Sequence, residues 1–250
     1  MRRNEEALTP HEEAEMSENR PTTRASTETT TTHSDVDAFL AEMTKASTSE
    51  ISGAGRLIFA LDATGSRRET WDMACALQGE MFQTVAAIGG LNVQLVYYRD
   101  LTECRSSKWV SNAAHLTHLM TRIECRSGRT QIGKILAHAK RETEILKVSA
   151  LVFVGDAFEE EEDKLIPTAH ELGRLKLPVF MFQEGHNRDV ENVFRQITKA
   201  TNGAYCRFDS GSAKQLGELL KLVAVFGVGG KAALEASKDA GAVKLLSQLK

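Results

Sequence analysis

The run Leu57-Ile58-Phe59-Ala60-Leu61 is apolar at every position and ends at once in Asp62-Ala63-Thr64-Gly65-Ser66. A strand that is apolar on both faces must be covered on both, as in a parallel sheet with helices above and below it. The signature recurs in the apolar run at 150–154, which leads into Gly155 and Asp156. Between such runs the apolar residues fall at helical spacing. The expected fold class is therefore α/β, with a doubly wound, mostly parallel central sheet and helices on both faces.

Read along the chain, strands are expected at 57–61, 92–98, 150–154, 179–182 and 204–208, with a short polar strand or extended segment at 103–110. Helices are expected at 70–88, 113–123, 132–146, 163–175, 189–201 and 212–226. The glycines of Gly227-Val228-Gly229-Gly230 break the helical pattern, and 227–250 reads as a helical extension interrupted near Gly241. The alternating domain thus occupies 56–226. Ahead of it, 1–33 is an acidic Thr/Ser-rich leader with little to bury, containing Thr29-Thr30-Thr31-Thr32, and is expected to be disordered. Residues 34–46 carry Val36, Phe39, Leu40 and Met43 at helical spacing behind Ser34, so a short amphipathic helix is expected there.

The net charge of −3 is unevenly spread, because residues 1–50 hold 5 Lys/Arg against 11 Asp/Glu while the remainder holds 26 against 23. Neither part is basic enough for a nucleic-acid binder, and no Lys/Arg run interleaves with aromatics. The four cysteines, Cys75, Cys104, Cys125 and Cys206, form no C-x-x-C pair and lack zinc-site spacing to histidine, which suits reduced thiols. There is neither an apolar signal-peptide core nor a stretch of about 20 apolar residues for a membrane span. A cytoplasmic, soluble protein is expected.

Ligands of open α/β sheets bind outside the carboxyl ends of the strands, where loops from different strands converge. Three loops qualify. The first presents Asp62, Thr64 and Ser66, the second (127–133) presents Thr130 ahead of a helix, and the third presents Asp156. Hard oxygens of low total charge suit Mg²⁺ or Mn²⁺ better than zinc. Taken singly, Asp62 and Asp156 read more readily as helix caps at strand-to-helix turns than as ligands.

Together, Asp62-x-Thr64-x-Ser66, Thr130 in a Gly-x-Thr-x-x-Gly setting and Asp156 give the region 56–226 a resemblance to the von Willebrand factor A family. The metal-ion-dependent adhesion site of that family uses Asp-x-Ser-x-Ser on the first loop, a Thr on the second and an Asp on the third, and Thr64 replaces the middle Ser here. The resemblance implies that Thr64, Ser66 and Thr130 approach Mg²⁺ through hydroxyls, and that Asp62 and Asp156 hold it directly or through water. It further implies that a partner protein's Asp or Glu completes the coordination. The function implied is a metal-ion-dependent protein-interaction module without catalysis, an adaptor of the kind found with AAA+ ATPases or stress-response proteins. No Gly-x-x-x-x-Gly-Lys-[Ser/Thr] loop is present, so any ATPase must be another protein.

Around this site the sequence places Arg67, Arg68, Arg126 and Arg129 beside the first two loops, and Glu159 and Glu160 in an acidic block on the third. A split rim is expected, basic over two loops and acidic over the other, that a partner would complement. A solvated helix start favoured by the macrodipole is the plainer reading of the acidic block. Two alternatives to the binding module stand beside it. An Mg²⁺-dependent phosphohydrolase on a doubly wound sheet would use Asp62, although the second Asp expected two residues later is Thr64. A metal-free scaffold is the other.

Overall fold

The computed structural model describes residues 55–249 apart from 73–74, 77–78, 80–81, 84–90, 210–212 and 238–239. The segments 1–33 and 34–46 lie outside the described residues. Strands β1 (Gly55–Asp62), β2 (Leu91–Arg99), β3 (Glu103–Val110), β4 (Ala150–Gly155), β5 (Val179–Glu184) and β6 (Tyr205–Phe208) form one sheet in the order β3-β2-β1-β4-β5-β6. β1 lies between β2 and β4 and is parallel to both, and β5 and β6 continue the parallel set. Only the edge strand β3 runs antiparallel, to β2.

The alternation of side chains along β1 divides the core in two. Leu57, Phe59 and Leu61 pack on one face with Trp71, Phe82, Leu220 and Val223. Ile58 and Ala60 pack on the other with Ile135, Leu136, Phe153 and Phe194. All five β1 residues are fully buried, which is why the run tolerates no polar residue; each large one contributes about 1.5–3 kcal/mol of burial. The second face is covered by α2 (Ile132–Ile145), α3 (Glu162–Arg174) and α4 (Arg188–Thr201). The first face is covered by described helical residues between 71 and 83, by α1 (Ala113–Met120) and by α5 (Ala213–Ala236).

The helix break expected over 227–230 falls at Gly230, whose φ of 65° and ψ of −156° interrupt α5. Beyond it the chain turns back. Leu234, Leu245 and Leu249 are buried in the first core, α6 spans Ala240–Leu246, and Gln248 accepts a hydrogen bond from the backbone N–H of Tyr205 at 2.8 Å. No helix among the described residues is long and apolar enough to cross a membrane.

Candidate metal centre

The parallel strands β1 and β4 bring the first and third loops to one edge of the sheet, and the segment leading into the second is tied there by the Arg126 N–H, which donates to the Ala63 carbonyl at 3.1 Å. Asp62 is the last residue of β1 and is 0% exposed. Its Oδ1 accepts from the Thr64 backbone N–H at 2.8 Å, and its Oδ2 accepts from the Tyr98 hydroxyl on the neighbouring β2 at 2.9 Å. The first bond folds the loop back on the aspartate and aligns the next two hydroxyls, so that Thr64 Oγ1 and Ser66 Oγ lie 3.1 Å apart. Thr64 is buried, whereas Ser66, on the 3₁₀ turn Gly65–Arg67, is exposed.

Asp156 follows β4 directly, and its Oδ1 is buried without a hydrogen-bond partner. Burial, above all, pushes the Asp62 carboxyl above the usual carboxylate range; hydrogen bonding from Thr64 opposes this and the charge of Asp156 adds to it. Two neighbouring carboxyls with one orphaned acceptor, next to aligned hydroxyls, form an arrangement that a bound cation would stabilise. Among the described residues no group of three or more His, Cys, Asp or Glu is placed to hold a metal. Any cation site at this edge is therefore built from hydroxyls and at most two carboxylates, a donor set that fits Mg²⁺ or Mn²⁺.

Thr130 is placed by its neighbours on both sides. Gly128 packs against the β2–β3 turn so closely that a Cβ there would lie 2.2 Å from the Asp100 carbonyl oxygen. Asp100 itself has a φ of 58°, and Gln131 holds this turn by donating its side-chain amide to the carbonyls of Arg99, Asp100 and Glu103 at 3.2, 3.3 and 3.3 Å. The Asp100 carboxylate is used on the adjacent Leu101 N–H, so it serves the turn. Across the site, Thr130 and Glu159 exchange hydrogen bonds: the Glu159 N–H donates to Thr130 Oγ1 at 3.0 Å, and the Thr130 N–H donates to Glu159 Oε2 at 3.1 Å.

The expected rim needs correction at three residues. Arg67 is 1% exposed and points inward, with Nε 3.0 Å from Glu184 Oε2 at the end of β5, so it cannot meet a partner. Its Nη1 and Nη2 are also buried, without hydrogen-bond partners. Glu160 is half-buried and accepts from the backbone N–H groups of Ile132 and Gly133, and Glu159, although exposed, is tied to Thr130. Both acids are hydrogen-bonded to loop two, and Glu159 also stays exposed at the rim. Arg68 and Arg129 are exposed and Arg126 is half-buried, 4.0 Å from Glu124 Oε2, while Glu159, Glu161 and Glu162 are exposed on the third loop, so charge of both signs faces outward.

Sequence reasoning missed Tyr98, Gln131 and the inward role of Glu160. The alternation of β2 was the available signal for Tyr98, because register places it opposite Asp62. Nucleophilic chemistry finds little support nearby: burial, chiefly, pushes the Cys75 and Cys125 thiols up to about 12. The two tryptophans are packing residues. Trp71 is buried, and Trp109 lies under the Arg56 guanidinium at 3.8 Å.

The sequence matches no protein-family model and no curated protein. Solved structures do share the fold. A von Willebrand factor type A protein from Catenulispora acidiphila superposes with a TM-score of 0.55 at 16% identity, covering 68% of this chain and 42% of that one. The vWF domain of the type V pili tip protein Mfa5 from Porphyromonas gingivalis gives 0.56 at 9% identity, covering 70% and 96%. The VWA domain of SpRpn10 gives 0.52 at 11% identity, covering 63% and 89%. At these identities the likeness establishes the fold.

Proposed function

From the von Willebrand factor A-like fold that the chain adopts, we propose that it is a metal-ion-dependent protein-interaction module without catalytic activity. Asp62, Thr64, Ser66, Thr130 and Asp156 would hold Mg²⁺, with Mn²⁺ as a substitute. The observation that carries this reading is the buried, unpartnered Oδ1 of Asp156 beside a carboxyl that Asp156 itself helps to push up. When bound, such a cation supplies an electrophilic position that a carboxylate of another protein can occupy.

The chain's own residues do the rest. Tyr98 and the Thr64 N–H orient Asp62, while Gln131 and Gly128 seat loop two on the β2–β3 turn. Arg68, Arg126 and Arg129 would attract an acidic partner segment. Glu160 is committed to loop two, so the complementary charge asked of the partner falls mainly on acids that face these arginines. An AAA+ ATPase supplied as a separate protein, in the cytoplasm, is the partner class suggested by the family resemblance. Capture from cell extract in Mg²⁺ with wild type and with Asp62→Ala/Ser66→Ala tests the reading. Proteins held only by wild type, and released by a chelator, are expected. Identical captured sets would refute it.

One observation favours a second reading, that of a metal-free scaffold. Both Asp62 oxygens already accept hydrogen bonds, so the first loop is internally satisfied without an ion. Unchanged melting behaviour in Mg²⁺ and Mn²⁺ would select it.

A further inference from the structure

Helix α2 begins without the cap that its first turn needs. Its N-cap residue, Gln131, makes no side-chain capping bond, because its Oε1 accepts from Lys134 Nζ at 2.6 Å while its amide N–H groups hold the β2–β3 turn, and there is no acidic residue in the first turn. The orphan N–H groups of Ile132 and Gly133 are instead met by a carboxylate from another loop, that of Glu160, with Oε2 2.9 Å from the Gly133 nitrogen. Beside it, Glu159 and Thr130 exchange their reciprocal pair. Loop three thus both carries Asp156 and grips the backbone on either side of the Thr130 hydroxyl. Two of the five candidate ligands are fixed relative to each other by residues that need not touch the ion.

We propose that Glu160, with Glu159 beside it, is a positioning residue that sets the cation affinity of the centre by holding the Thr130 hydroxyl in register with Asp156; this rests on the function proposed above. The rival cause is simple charge. Glu160 is near enough to the site for its charge to raise the Tyr98 phenol along with burial and Asp62, so removing it also weakens the field there. The structure offers a way to separate the two. A Cβ on Gly133 would lie 3.0 Å from Glu160 Oε2 and 3.2 Å from Leu165 Cδ2, so Gly133→Ala crowds the carboxylate and shifts it by a few tenths of an ångström while leaving its charge in place. Glu160→Asp also keeps the charge but shortens the reach, and it replaces Gly133→Ala should that variant fail to fold.

The experiment is Mn²⁺ binding by the full chain, followed by electron paramagnetic resonance and water-proton relaxation, with amide hydrogen exchange at Ile132 and Gly133 as a readout independent of the ion. Glu160→Gln is expected to weaken Mn²⁺ binding about tenfold. It should also admit one more water to the bound ion and speed exchange at both amides. Gly133→Ala should reproduce all three changes. The double variant Thr130→Ala/Glu160→Gln should bind no more weakly than Thr130→Ala alone, since Glu160 acts through that hydroxyl. Additive losses, or wild-type affinity in both Gly133→Ala and Glu160→Asp, would overturn the proposal while leaving the metal-dependent function standing. No Mn²⁺ bound by wild type would sink both.

Discussion

Buried charges occupy both ends of β1, and the two ends treat them differently. At the amino end Arg56, 5% exposed, meets Glu142 Oε2 at 2.8 Å, donates to the Leu146 carbonyl and stacks on Trp109, whose indole N–H donates to the same carboxylate at 2.8 Å. Each strong group there has a partner. At the carboxyl end, Asp156 Oδ1 and two Arg67 guanidinium nitrogens are buried with none. Native structures leave few buried polar atoms unmet, and those that remain call for an explanation. The closed network reads as structure. At the other end the Oδ1 of Asp156, where three loops converge, is the acceptor that the cation of the proposed centre would meet.

That contrast can be broken by mutation. Arg56→Met removes one member of the closed network and strands Glu142, and should cost about 2–3 kcal/mol, discounted for the partial exposure of Glu142. Chemical denaturation measures it, and a loss below about 1 kcal/mol would blur the distinction. A smaller effect, about 1 kcal/mol, is expected from Glu160→Gln, which weakens the cap on α2. Least of all, Asp156→Asn should change metal-free stability by no more than about 0.5 kcal/mol, because no bond to its Oδ1 is lost. A cost comparable to that at Arg56 would mean that Asp156 is a structural residue.

The same pair gives metal-free stability a pH dependence whose sign can be worked out. The folded-state pKa of Asp62 is raised, so the folded protein binds its proton more tightly than the unfolded chain does. This contribution is therefore greatest at and below the ordinary aspartate range. It declines as pH rises from about 3.9 through the raised folded value, and is flat above it. Removing the Asp156 charge should flatten the decline partly, since burial is the larger cause. Melting curves against pH in chelator, for wild type and Asp156→Asn, check this.

The sheet was legible because its central strands are apolar without interruption, whereas the polar β3 carries no such signal and reads equally as an extended segment. The oxygen-bearing positions were legible for a related reason: strand ends on a parallel sheet converge, so Asp62 and Asp156 had to share an edge. Side-chain direction past those ends was not legible. Arg67 looks like a surface residue beside Arg68, yet the 3₁₀ turn at Gly65–Arg67 sends it inward to Glu184, a partner supplied by another strand. Glu160 sits in a run that reads as a solvated helix start. Only the missing cap on α2, visible once Gln131 is seen to hold the β2–β3 turn, explains why it crosses to loop two.

The most direct test is a Mg²⁺ titration of the full chain by calorimetry, paired with melting curves and repeated on Asp156→Asn. One ion per chain is expected, with stabilisation of about 2.7 kcal/mol at a hundredfold excess over the dissociation constant and loss of both signals in the variant. Absence of heat and stabilisation with either Mg²⁺ or Mn²⁺, or equal binding by Asp156→Asn, would contradict it.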